Sequence, residues 1–153
     1  MDKVKELIRS KPRIFVYITG VYLLVMVLIK WLTNPSLDAL WFFVGGAIGI
    51  YFLDAAEIFF GLQPSPFRSI VFGTLFAVVA FFVVTSSASM VGIGLVLSLY
   101  LQMLLWQVGE WRVNKNLDSW YRMVAGPVSI STQRSILIIA FIIFLVETII
   151  FVR

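Results

Sequence analysis

Asp54 and Glu57 are two carboxylates inside a long apolar stretch of this sequence, residues 39–60. Their spacing of three residues places both side chains on one face of a helix. If that helix crosses a membrane, the acids are costly, because an Asp at the helix centre disfavours insertion by roughly 2.5–3.5 kcal/mol. Such an acid needs a partner, a proton or a cation. The pair therefore indicates proton or cation binding, lipid-headgroup binding, or an ion pair that holds helices together.

A second apolar stretch, residues 91–111, carries polar side chains that suit the same site. Gln102 and Glu110 belong to a series of residues four apart, and Gln107 lies beside that series. If both helices run in the same direction, Gln102 reaches the depth of Asp54 and Glu110 reaches the membrane interface. The sequence predicts one polar intramembrane site with two arginines as charge partners at its mouth: Asp54, Glu57, Gln102, Gln107 and Glu110, with Arg68 and Arg112.

The composition excludes several kinds of chemistry. The 153 residues include no cysteine and no histidine, which rules out disulfides, thiolate nucleophiles, His-based triads, and zinc, haem or iron–sulfur sites held by those residues. Carboxylates on two helices match no metal motif, so we predict no metal site and no cofactor. A net charge of +4, in a chain that is 61% hydrophobic, favours contact with anionic lipid headgroups over contact with nucleic acid.

The apolar residues fall into five blocks separated by turn signals, among them Pro35, Pro64 and Pro66. Each block is near the length that a helix needs to cross the hydrocarbon core of a bilayer. The first block is too long for a signal peptide, and no small-residue cleavage pattern follows it. The sequence therefore predicts an all-α integral membrane protein, with one membrane domain over residues 1–153 that is a bundle of five transmembrane helices. Their predicted bounds are 14–32, 39–60, 69–86, 91–111 and 136–152.

Residues 112–125 are the most polar part of the second half of the chain. Their apolar residues follow a helical stripe with basic residues opposite, which predicts a short amphipathic helix at the cytoplasmic membrane interface. A solvated extension of the fourth transmembrane helix is the alternative. We expect Trp111, Trp120 and Tyr121 to lie at headgroup depth, as in an aromatic belt. The basic residues 1–13 fit either a surface helix or a basic tail.

Two further patterns concern contacts between helices. Gly45 and Gly49 are four residues apart, and small residues at this spacing allow two helices to approach closely. Lys30 lies near the end of the first block and Glu147 near the end of the last, so both belong to the outer end of the bundle. We expect an ion pair between them that joins the first and last helices.

The distribution of basic residues predicts the orientation. With five crossings and a cytoplasmic N-terminus, every Lys and Arg except Lys30 and Arg153 lies on the inner side. The positive-inside rule therefore predicts a multi-pass protein of the plasma (inner) membrane with its N-terminus in the cytoplasm and its C-terminus outside. The expected lipid partners are anionic headgroups of the inner leaflet.

Three functions fit these features. The first is a non-enzymatic accessory or scaffold subunit that binds a protein partner within the membrane or at residues 112–134. The second is a small ion- or proton-linked transporter or channel that uses Asp54 and Glu57, and it would be a homo-oligomer because five helices are few for a complete pathway. The third is an enzyme that modifies lipid headgroups. No catalytic motif is present in the sequence, so we favour the first.

Overall fold

The computed structural model describes residues 11–153, which fold into five α-helices and one short 3₁₀ helix and contain no strand. The all-helical prediction is confirmed. The prediction for residues 1–13 lies largely outside the described residues. The helices are α1 (Arg13–Thr33), α2 (Asp38–Phe60), α3 (Ile70–Ser86), α4 (Met90–Asn114) and α5 (Ile130–Val152), and the 3₁₀ helix covers Asp118–Tyr121.

Four of the helices, α1, α2, α4 and α5, are long and apolar enough to cross a membrane. Each has 21 to 25 residues, near the length of about 20 that spans a hydrocarbon core. Helix α3 is also apolar but has only 17 residues. Many large apolar side chains on the outside of the bundle are exposed, as expected for helices that contact lipid tails. These features indicate a membrane protein.

Helix α4 lies at the centre of the bundle. It is buried along most of its length, and it contacts each of the other four helices. Its most extensive contact is with α2, and glycines allow that contact. A Cβ atom on Gly45 would lie 2.0 Å from the carbonyl oxygen of Val91, and one on Gly94 would lie 2.0 Å from that of Phe42. Gly49 also faces α4, so the structure places both glycines of the predicted pair at this interface.

Serine side chains begin three of the helices. Ser69, Ser89 and Ser129 each accept a hydrogen bond from the backbone N–H three residues later, which satisfies a donor that the first helical turn leaves free. The cap at Ser129 extends α5 to Ile130, six residues before the predicted start of the apolar block at residue 136. The polar first turn of this helix contributes Gln133 to the loop that precedes it.

The predicted amphipathic helix over residues 112–125 is not one continuous helix, and this prediction is corrected. Helix α4 continues to Asn114 and ends at Lys115, whose backbone is left-handed with φ of 59°. The oxygen Oε1 of Gln133 then accepts the backbone N–H of Leu117 at 2.6 Å. Because a side chain of α5 binds that N–H, the chain turns back on the bundle and forms only a short 3₁₀ helix.

The middle of the apolar stripe faces the protein, while Val113 and Val124 at its two ends are exposed. Leu117, Trp120 and Tyr121 are buried in a small core of their own, against Trp106 and Trp111 of α4. Trp120 and Tyr121 therefore pack against protein, and their predicted headgroup depth stays a prediction. Trp111, the third predicted belt residue, is only partly buried.

Candidate functional site

The end of α2 positions the two carboxylates. Asp54 and Glu57 lie in its last two turns, and the helix ends at Gly61, whose positive φ of 63° turns the chain sharply. The N–H of Leu62 donates to the carbonyl oxygen of Glu57 at 3.0 Å, which closes this end. The loop that follows returns along α2, so that Arg68 lies beside both acids.

Arg68 connects α2 with α4. Its Nη2 lies 3.0 Å from Oε2 of Glu57 and 3.5 Å from Oδ1 of Asp54. Ser65 donates to Oε1 of Glu57 at 2.5 Å and completes the partners of that carboxylate. On its other side, the guanidinium carbon of Arg68 lies 4.0 Å from the centre of the Trp106 ring, a cation–π contact. The structure thus brings Asp54, Glu57 and Arg68 together, as the sequence placed them.

Lys11 is the second cation of the site, and sequence reasoning missed it. Its Nζ lies 2.5 Å from Oδ2 of Asp54 and also donates to the carbonyl oxygen of Ile50. The Lys11 and Asp54 side chains are only 1% and 6% exposed. Burial lowers the pKa of Lys11, while the Asp54 carboxylate acts in the opposite direction. The sequence position of Lys11 could have indicated this contact, because Lys11 lies two residues before α1, at the end of the bundle where Asp54 lies.

Gln102 lies beside this ion pair without bonding to it. Together with Lys11 and Asp54 it lines a small, partly open cavity of about 10 Å³, near the size of one water molecule. Its Nε2 donates to the hydroxyl of Thr19 on α1 at 2.6 Å. Its Oε1 is buried and has no hydrogen-bond partner within residues 11–153. Gln102 therefore extends the polar region from α2 across α4 to α1.

Three residues of the predicted site lie elsewhere. Gln107 lines a separate apolar groove of about 600 Å³ between α3 and α5. Glu110 accepts hydrogen bonds from the Ser119 hydroxyl and, at 3.0 Å, from the indole N–H of Trp120, so it holds the 3₁₀ helix against α4. Arg112 is exposed and pairs with no acid in the part of the chain that the structure describes. The polar residues do lie on one helix, as predicted. They do not form one site, because side chains on a single helix point in different directions and contact different neighbours.

An open cavity of about 440 Å³ lies next to the carboxylates. Its lining combines Asp54 and Glu57 with Arg68 and Arg122, and Ser65 belongs to the same wall. The volume and the mixed charges suit a small polar or zwitterionic molecule. A metal ion is less well served, since residues 11–153 hold no group of three or more His, Cys, Asp or Glu that could coordinate one.

The predicted ion pair at the other end of the bundle is not formed, and this prediction is corrected. Lys30 donates from Nζ to the carbonyl oxygen of Phe151 at 3.1 Å and lies over the Phe151 ring. A lysine is attracted to this position because the last carbonyl groups of a helix carry partial negative charge. Glu147, one turn earlier on α5, is fully buried and its carboxylate oxygens have no hydrogen-bond partner among the described residues.

Comparison of the chain with protein families, curated proteins and solved structures finds no match. The class is therefore defined by the fold and the site alone. It is a helical bundle with helices apolar enough to cross a membrane, and it carries a partly buried cluster of paired charges near one end.

Proposed function

We propose that this protein is a non-enzymatic accessory or scaffold subunit of a membrane complex. One observation carries the proposal. Asp54 and Glu57, the two carboxylates of the polar site, already have protein partners, with Lys11 on Asp54 and Arg68 on both acids. These contacts join the segment before α1, the end of α2 and the loop before α3. Because the loss of one partner would leave the other charge unpaired, we infer that these contacts hold one conformation of the bundle rather than exchange with a solute.

The proposed topology has five crossings, with α3 as a short one. Seventeen residues lie at the lower end of the range that spans a bilayer. We place the N-terminus in the cytoplasm and the C-terminus outside, in the plasma or inner membrane, because this arrangement puts Arg68 and Arg122 on the inner side. The charged cluster then lies near anionic headgroups of the inner leaflet.

We place the protein partner at the loop between α4 and α5. Val113, in the last turn of α4, and Met123, in the loop, are 81% and 63% exposed, and basic residues adjoin them. Met and Arg are enriched in protein contact surfaces, so Met123 beside Arg122 favours this location. The loop itself is held to the bundle by Gln133 and Glu110, so it presents this surface in a fixed conformation.

Native electrophoresis of the tagged chain from its own membranes, solubilised in a mild detergent, tests this proposal. We expect a complex that contains a second protein at a fixed stoichiometry. Val113→Ser combined with Met123→Ser should remove that second protein, because the change eliminates the apolar contact. Val78→Ser is the matched control, since Val78 is a 66% exposed apolar residue on α3, away from the loop. A chain that migrates alone, or only with copies of itself, would argue against a scaffold.

The open cavity beside Asp54 and Glu57 favours a second candidate, an ion- or proton-linked transporter or channel. The two candidates differ in liposomes that contain only the purified chain. A scaffold should give no flux of Na⁺, K⁺ or protons above that of empty liposomes. A flux that saturates with ion concentration and disappears in Glu57→Gln would support the transporter.

A further inference from the structure

Glu147 is the most deeply buried acid that the structure describes. Its residue exposure is 0%, and neither carboxylate oxygen has a hydrogen-bond partner within residues 11–153. It lies five residues before the end of α5, or about 8 Å along the helix axis at 1.5 Å per residue. Asp54 and Glu57, near the opposite end of the bundle, have cationic partners within 4 Å, and Glu147 has none among the described residues.

The groups around Glu147 do not neutralise a negative charge. Tyr22 of α1 and Tyr100 of α4 are near enough to interact with it electrostatically, but both phenols are engaged elsewhere. The Tyr22 hydroxyl shares a hydrogen bond with Thr148 at 3.0 Å, and the Tyr100 hydroxyl donates to the carbonyl oxygen of Ala140 at 3.0 Å. Lys30 of α1 is the cation at this end of the bundle, and its Nζ donates to the carbonyl oxygen of Phe151.

We propose that Glu147 is a proton-binding site, and that the folded bundle holds it as a neutral carboxylic acid. An ionised carboxylate without a cation or hydrogen-bond donors is far less stable in an apolar interior than in water. The carboxylate therefore takes up one proton from the solvent when the bundle forms. This assignment is independent of the scaffold function, because it concerns the other end of the bundle and different residues.

A neutral carboxylic acid inside an apolar region has a specific reactivity. Dicyclohexylcarbodiimide enters membranes and adds to a protonated carboxyl group. The carboxyl oxygen forms a bond to the central carbon of the reagent, and the proton moves to one of its nitrogens. The acyl group then migrates from oxygen to nitrogen, which gives a stable N-acylurea. Nothing leaves, so the protein gains the full mass of one reagent molecule. Ion-paired carboxylates such as those of Asp54 and Glu57 lack this proton and should react slowly.

The experiment labels the full chain in lipid nanodiscs at neutral pH and locates the adduct by intact-protein and fragmentation mass spectrometry. We expect one adduct, on Glu147 of the unmodified sequence, so the assignment does not depend on a variant that folds. Glu147→Gln should lose the adduct, and Glu57→Gln should keep it. The infrared band of a protonated carboxyl group should be present in the unlabelled protein and absent from Glu147→Gln.

Three outcomes would overturn the proposal. An adduct on Asp54 or Glu57 with none on Glu147 would mean that the protonated acid lies elsewhere. Absence of both the adduct and the infrared band would mean that Glu147 is ionised. An adduct that forms only in Lys30→Gln would show that Lys30 pairs with an ionised Glu147 in the bilayer.

Discussion

The Nζ of Lys11 lies 2.5 Å from Oδ2 of Asp54, and both side chains are almost completely excluded from solvent. This contact joins the residue that precedes Pro12 and α1 to the second-last turn of α2. Arg68, in the loop that follows α2, contacts the same carboxylate, with its Nη2 at 3.5 Å from Oδ1 of Asp54. One buried acid therefore holds two cations from two different segments, and its replacement should affect the whole end of the bundle.

Removal of the Asp54 charge should leave Lys11 buried without its acid. We expect Asp54→Asn to lower the free energy of unfolding by about 3–5 kcal/mol, as is found when one partner of a buried pair is lost. Combining it with Lys11→Met should recover much of that loss, because no unpaired charge remains. Reversible unfolding in mixed detergent measures both. Asp38→Asn is the control, because Asp38 is an exposed acid at the other end of α2, and its effect should stay within about 0.5 kcal/mol. Equal effects of Asp38→Asn and Asp54→Asn would refute the structural role of the pair.

Arg68 should resist replacement by lysine. Lysine retains the charge but lacks the planar guanidinium, which in Arg68 donates to both carboxylate oxygens of Glu57 while its face lies against Trp106. We expect Arg68→Lys to destabilise the protein by about 1 kcal/mol, the size of a partly exposed cation–π contact, and to change the fluorescence of Trp106. Arg112→Lys is the matched substitution at an exposed position and should do neither. An unchanged unfolding curve for Arg68→Lys would show that only the charge matters.

The contact between α2 and α4 should be sensitive to a single methyl group. Gly45→Ala places a Cβ atom 2.0 Å from a backbone oxygen of α4, so the two helices must separate. We expect a loss of stability of about 1–3 kcal/mol or more. Gly20→Ala is the control in α1, where a Cβ atom meets nothing within 4 Å, and it should stabilise the helix by about 0.5–1 kcal/mol. A neutral Gly45→Ala would mean that α2 and α4 are further apart than described.

Gln133 should determine the conformation of the loop between α4 and α5. It accepts the N–H of Leu117 and donates to Asp118 and to the carbonyl oxygen of Val128. Gln133→Leu leaves the buried N–H of Leu117 unpaired, at a cost of about 1–3 kcal/mol, and also removes the bonds to Asp118 and Val128. Limited proteolysis should then cut the loop faster, with Arg134→Gln, at the exposed neighbouring position, as the unaffected control. Equal cleavage rates in the two variants would exclude this role.

The helices could be predicted from the sequence because long apolar blocks between prolines and small polar residues are compatible with few structures other than helices. The predicted helix ends were less accurate. The block that begins at residue 136 becomes a helix from Ile130, since Ser129 caps a polar turn that carries no apolar signal. The stripe over residues 112–125 has a true helical period, yet it folds differently because a glutamine of a distant helix binds its backbone.

The candidate site was predictable where neighbours in sequence create it. Arg68 follows α2 after a short loop, so its proximity to Asp54 and Glu57 follows from chain connectivity. Lys11 was not predictable in the same way, because the contact spans 43 residues and depends on how α1 packs against α2. Glu147 was assigned a lysine partner from depth alone, and depth does not specify which carbonyl or carboxylate a lysine reaches.

The most direct test of the central claim compares the thermal stability of wild type and Asp54→Asn in nanodiscs, with and without Na⁺, K⁺ or Mg²⁺. If the buried charges serve to hold the bundle together, Asp54→Asn should melt at lower temperature and neither protein should respond to any of the ions. A transported ion would instead stabilise the wild type, by about 2.7 kcal/mol at 100 times its dissociation constant. A saturable stabilisation of the wild type, together with an Asp54→Asn protein that is equally stable and unresponsive, would contradict the scaffold function.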